Sequence, residues 1–131
     1  MTTSRVNISS ASDLEDVVGY SRAVRVGAHV VVSGTTAAIP GGGAVGGDDI
    51  GAQTEEVLIR IAAALEQAGA SLRDVVRTRL FVTDIARWPE VAAAHAAVFG
   101  AIRPAAAMYE VSALIAPELL IEIEADAIVA G

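Results

Sequence analysis

Three acidic side chains alternate near the C-terminus: Glu122, Glu124 and Asp126. On an extended strand they point the same way, with successive side chains about 6.5–7 Å apart. One reading is a solvated strand face, with Arg77 and Arg79 as neighbours across the sheet. The other is chemical. A carboxylate in a partly buried pocket has a raised pKa and can orient a water or move a proton, and a second carboxylate on the same strand adds to the rise. Tyr20 follows Gly19 at a strand start. It is either an interface aromatic or a pocket wall whose hydroxyl meets a ligand. Ser33 ends a strand with no histidine nearby in sequence to activate it, so it reads as a hydrogen-bonding group and not a nucleophile.

Composition closes off other chemistry. There is no cysteine, so disulfides, thiolate nucleophiles and Cys-based zinc sites are excluded. All nine basic residues are arginines. With no lysine, no side chain can form a Schiff base with a carbonyl substrate. His29 and His95 fall in different elements, with no metal-ligand spacing to the carboxylates. His95 reads as a packing histidine and Trp88 as a packing residue at a helix start. Arg103, before Pro104, reads as a salt-bridging loop residue. Neither a metal nor a cofactor is expected. The net charge is −7 and the arginines are scattered, so no basic stripe is available to track a nucleic acid. No run approaches the roughly 18 apolar residues of a membrane span, and the first residues lack a signal-peptide pattern. The expectation is a soluble, cytoplasmic protein.

Several elements must position these groups. Residues 20–34 read as a hairpin turning at Gly27-Ala28. Pro40-Gly41-Gly42-Gly43 and Gly46-Gly47 form a surface loop. It is not a phosphate cradle, because no Lys-Ser/Thr follows and no dinucleotide pattern surrounds it. Residues 49–68 are the clearest helix, with Val57, Leu58, Ile61 and Leu65 as its apolar stripe, aspartates at its start and Gly69 at its end. A strand over 75–83 places Val76, Thr78, Leu80 and Val82 on one face. A second helix over 87–99 tolerates Pro89 in its first turn and ends at Gly100. Strands follow over 105–112 and 118–129. In the last, Leu119, Ile121, Ile123, Ala125 and Ala127 oppose the acidic trio.

That order predicts one α+β domain spanning residues 1–131, a mixed sheet with two helices on one face. The other face carries charge and needs a covering. Apolar residues make up 53% of the chain and mean hydropathy is +0.53. Part of this is alanine, and the rest hints at surface hidden in an oligomer.

Pieces of the sequence together resemble the Rid (RidA/YjgF-like) family. These are Gly19-Tyr20-Ser21-Arg22-Ala23-Val24-Arg25-Val26-Gly27, Val32-Ser33-Gly34, Ala52-Gln53-Thr54, Ala68-Gly69-Ala70-Ser71-Leu72, Phe81-Val82-Thr83-Asp84, Arg103-Pro104-Ala105, Glu110-Val111 and Ile121-Glu122-Ile123-Glu124-Ala125. They occur in family order over roughly residues 17–129. The resemblance implies a chorismate-mutase-like α+β fold. It further implies a homotrimer with clefts between subunits, and cofactor-independent hydrolysis of reactive enamines and imines such as 2-aminoacrylate. It assigns Tyr20 and Ser33 to the pocket, Glu122 to the attacking water and the Met108 backbone to the ligand. Two matches fail. The arginine that holds the substrate carboxylate falls at Ala106, and an asparagine falls at Ala92. A charged hydrogen bond contributes about 1.5–3 kcal/mol, so its loss weakens carboxylate binding roughly 10- to 150-fold. Arg103 is three residues away and is the nearest candidate replacement. Ala106 leaves the pocket roomier and less cationic. The expected substrate is therefore a larger, less anionic activated intermediate and not 2-aminoacrylate. The alternative is a trimer that binds a metabolite without catalysis.

Overall fold

Hydrophobic alternation builds a six-stranded sheet. The computed structural model describes residues 4–130. Its strands are β1 (Arg5–Ile8), β2 (Ala23–Val26), β3 (His29–Thr35), β4 (Val75–Val82), β5 (Ala105–Glu110) and β6 (Ile121–Ile128). The helices are α1 (Asp13–Val18), α2 (Ile50–Gln67) and α3 (Trp88–Phe99). Sheet order is β1-β2-β3-β6-β4-β5. Among the described strands, β4 and β5 alone run parallel, with α3 as the crossover between them. The α+β expectation holds.

The acidic strand behaves as its alternation requires. Ile121, Ile123, Ala125 and Ala127 are buried beneath the helices, and Glu122, Glu124 and Asp126 face the other way. The core beneath α2 and α3 also takes in Val30, Val32, Val57, Leu58, Ile61, Leu65, Leu80, Val82, Val91 and Phe99. Asp49 caps α2, its carboxylate accepting from the Ala52 N–H, and Gly69 follows the helix with φ +78°.

Three local features depart from or add to the expectations. First, Val76 does not join Thr78, Leu80 and Val82 inside. A β-bulge at the start of β4 shifts the register between Val75 and Arg77, burying Val75 and leaving Val76 44% exposed. Second, β1 and α1 were not anticipated. Both are too short for a strong periodic signal. Third, Trp88 is 55% exposed at the start of α3 and is not a packing residue. Gly100 ends α3 as expected, its N–H donating to the Ala96 carbonyl, and Arg103 beyond it has φ +56°.

One buried amide ties the loops to this frame. Gln53 in α2 is fully buried. Its Nε2 donates to the carbonyls of Gly47 (2.7 Å) and Glu118 (3.0 Å), and its Oε1 accepts from the Leu120 N–H (3.0 Å). The glycine-rich loop is a tight turn held by backbone bonds between Ile39 and Gly43 and between Val45 and Ala37.

Candidate functional site

A cleft of about 1030 Å³ opens where the β2–β3 hairpin meets β6, and Tyr20, Arg22, Ser33, Gly34, Arg60 and Glu122 line it. A bulge creates it. The β3–β6 register shifts between Val32 and Thr35, so Ser33 and Gly34 together span one place on β6. Gly34 then passes directly beneath Glu122. A Cβ on residue 34 would lie 2.9 Å from the Glu122 Cδ, so only glycine leaves the carboxyl where it is.

Ser33 Oγ donates to the Ser21 carbonyl at 2.6 Å. A hydroxyl has one proton, so toward a ligand Ser33 presents an acceptor. Tyr20 is positioned by α1. Ser12 caps that helix, and Gly19 ends it with φ +85°, a left-handed turn that favours glycine. The N–H groups of Gly19 and Tyr20 both donate to the Glu15 carbonyl, at 2.8 and 3.0 Å. The Glu15 carboxylate in turn accepts from the Ser10 hydroxyl (2.6 Å) and N–H (2.8 Å). Those two bonds, the hydroxyl first, hold Glu15 below the ordinary carboxylate range against a smaller effect of burial.

Electrostatics separates the three acidic residues of β6. Arg79 Nη1 lies 3.6 Å from both the Glu124 and the Asp126 carboxylates. Glu122 is opposite Phe81 instead. Among the described residues, no ion pair or side-chain hydrogen bond engages Glu122. Burial first, then the neighbouring Glu124 charge, raises its pKa, and Arg22 offsets part of that rise. Such an environment favours the protonated carboxyl and suits a group that gives and takes a proton.

Arg22 went unassigned in the sequence reading. Its Nη2 donates to the Gly34 carbonyl at 2.6 Å, and its guanidinium lies 5.8 Å from the Tyr20 ring centroid. Its Nε is buried with no acceptor among the described residues. Desolvation lowers its pKa, and the Tyr20, Glu15 and Glu122 charges oppose that. The available signal was its two-residue spacing from Tyr20, which sends both side chains the same way if the segment is extended. Arg60 was also missed. These two arginines give the part of the cleft formed by this chain a cationic side.

The other site candidates lie apart from this cleft. Ala106 pairs with Thr78, and Met108 with Leu80, on β5 at the outer edge of the sheet. Arg103 is exposed beyond α3, its Nε donating to the Gly100 carbonyl at 3.0 Å. His95 packs as expected, its Nε2 3.0 Å from Thr78 Oγ1 and its ring tilted against Phe99, with burial lowering its pKa. A shallower depression on the helix-free face is lined by His29, Val31, Val76, Arg77 and Asp126. Its titratable residues are His29, Arg77 and Asp126, and Asp126 is paired with Arg79.

Sequence and structure comparisons agree with this fold. The profile of the family described as Endoribonuclease L-PSP matches residues 10–129. The crystal structure of Rv2704 from Mycobacterium tuberculosis, a YjgF/YER057c/UK114 family member, superposes with a TM-score of 0.88 at 61% identity. It covers 96% of this chain and 100% of that one. The chain belongs to the YjgF/Rid family. A RutC family protein of Pyrococcus abyssi is 38% identical over 81% of this chain and 83% of its own length. The 2-iminobutanoate/2-iminopropanoate deaminase of Salmonella typhimurium is 36% identical over 83% and 86%. Some Rid relatives are thus imine or enamine deaminases. No helix among the described residues is long and apolar enough to cross a membrane.

Proposed function

We propose that this Rid protein hydrolyses an imine, enamine or similarly activated small molecule in a pocket completed between subunits of a homotrimer, and that it is not a standard 2-aminoacrylate deaminase. One observation carries the reading. Among the described residues Glu122 is an unpaired, partly buried carboxyl with a raised pKa, held over Gly34 beside Tyr20 and Ser33. The chemistry needs no cofactor. An enamine gains a proton on carbon and loses one from nitrogen, giving the imine. Water then adds to the imine carbon as Glu122 takes its proton. That proton passes to nitrogen, giving a carbinolamine. Its hydroxyl proton then moves to nitrogen through Glu122, the C–N bond breaks with its electrons going to nitrogen, and ammonia leaves a ketone. The spare acceptor on Ser33 suits an N–H of the imine or the departing amine.

The homotrimer is supported by the helix-free sheet face, where Val26, Val31, Val76 and Ile128 are 43–50% exposed. A neighbouring subunit could bring its own β5, with Ala106 and Met108, to the cleft. Met108 would then offer backbone groups, and Ala106 would leave open the space of the family arginine. Arg103 already bonds within its own chain, which disfavours it as the replacement.

The test generates 2-aminoacrylate and bulkier imines in situ and follows ammonia release. Release from at least one bulkier imine is expected, with Glu122→Gln slowing it about 100-fold or more, the scale of general acid–base catalysis. Turnover of 2-aminoacrylate at the rate of the Salmonella relative would sink the substrate assignment. Ligand binding indifferent to Glu122→Gln, with no turnover of any imine, would leave a metabolite-binding trimer instead.

A further inference from the structure

Ala106 removes a guanidinium from one wall of the proposed pocket, but the cleft holds another. We infer that Arg22 anchors the ligand's carboxylate in this protein, and that the ligand is an acid with a bulky apolar side chain. This rests on the reading of the cleft as the reaction site.

Three observations carry it. The first is the state of Arg22. Of the five guanidinium donors, the described residues engage one, through the bond from Nη2 to the Gly34 carbonyl. Among the described residues, Nε is buried without an acceptor and no carboxylate forms an ion pair with the group. A partly desolvated cation without a counter-ion is unfavourable until an anion arrives. The second is contrast with Arg60, the other cleft arginine. Its Nε pairs with Glu56 at 2.8 Å, and its Nη1 donates to the Thr36 and Ala38 carbonyls at 2.8 and 3.0 Å. Arg60 is committed to structure, so the available cation is Arg22.

The third is the arrangement around Gly34. Arg22 holds its carbonyl while Glu122 lies against its Cα. Cation and carboxyl therefore converge on one residue without pairing. A carboxylate on Arg22 would hold the adjacent carbon toward Glu122, where an imine or oxo group would sit. The far side of the cleft is apolar and exposed: Leu14 40%, Val18 67%, Ile39 42% and Ile115 71%. A branched or aromatic side chain would bury that surface, and a methyl group would not reach it.

The experiment titrates the intact protein with 4-methyl-2-oxopentanoate, its uncharged amide and pyruvate by calorimetry. The branched acid should bind more tightly than either pyruvate or the amide. Arg22→Gln should weaken the acid about 10- to 100-fold, the range of a lost charge-assisted hydrogen bond, and leave the amide nearly unchanged. Arg22→Lys should fall between, keeping charge without the planar fork. If Arg22→Gln does not fold, the Nε–Hε resonance of Arg22 in the ¹⁵N-labelled native protein answers the same question: it should move with the acid and not with the amide. Acid binding unaffected by Arg22→Gln, an unmoved resonance, or no binding of either acid by the native protein would overturn the assignment. Arg22-dependent binding without turnover of any imine would refute only the catalytic reading. Turnover that needs Glu122 and ignores Arg22 would refute only the anchor.

Discussion

At the residue scale, Gly34 and Glu122 depend on one another. Gly34→Ala puts a Cβ 2.9 Å from the Glu122 Cδ, the far end of a flexible side chain. The carboxyl can swing away, so the fold should lose little, about 1 kcal/mol or less, the lower end of overpacking. Imine hydrolysis should fall at least tenfold, because a displaced base loses its geometry. Thermal melting beside an ammonia-release assay separates the two effects. Glu122 also predicts a pH signature. Its folded-state pKa stands above the unfolded value. Between the two values the native protein binds more proton than the unfolded chain, so stability falls as pH rises across that interval. The penalty is absent below the unfolded value and complete above the folded one. Urea midpoints measured from mildly acidic to neutral pH should decline less in Glu122→Gln than in the native protein. Glu15 acts with the opposite sign, its stabilisation being present above its unfolded value and lost as pH falls through the folded one.

At the element scale, two connections hold the site together. The short helix α1 delivers Tyr20 through a left-handed Gly19 that meets nothing within 4 Å. Gly19→Ala should therefore cost only the backbone strain, about 1 kcal/mol, read as a lowered urea midpoint. The second connection is Gln53. Gln53→Leu would leave the carbonyls of Gly47 and Glu118 and the N–H of Leu120 without their partner. A loss of about 2–4 kcal/mol is expected, since each buried orphan costs about 1–3 kcal/mol and the terms are not additive. Calorimetric melting checks it. Much of this scale was legible beforehand. Long helix α2 announced itself by its stripe and caps. For α1, Ser12-x-x-Glu15 and Gly19 were visible signals, but six residues carry too little periodicity to force the assignment. The two bulges had no local signature, because a bulge is a property of a strand pair.

For the whole molecule, a sheet with helices on one face leaves the other to be covered. Light scattering should give three times the 13.3 kDa of one chain. Val31→Asp, placed at the half-exposed middle of β3, should shift that mass toward the single chain through unpaired buried charge. A single-chain mass for the native protein would remove the inter-subunit pocket from the proposal.

By itself the sequence determined the elements whose patterns are local. The alternation of β6 separates apolar from acidic residues whatever surrounds it, and the ordered motifs carry the family. It also determined what chemistry is impossible, since absent cysteine and lysine cannot be supplied by folding. Tertiary structure decided which of three equivalent carboxylates is free. Arg79 occupies Glu124 and Asp126 from the neighbouring strand, and a bulge on β3 brings Gly34 under Glu122. It also decided that Arg22 shares the cleft with Glu122 while Arg103 does not. Both choices depend on contacts between segments about a hundred residues apart or across strand registers, which no local spacing encodes.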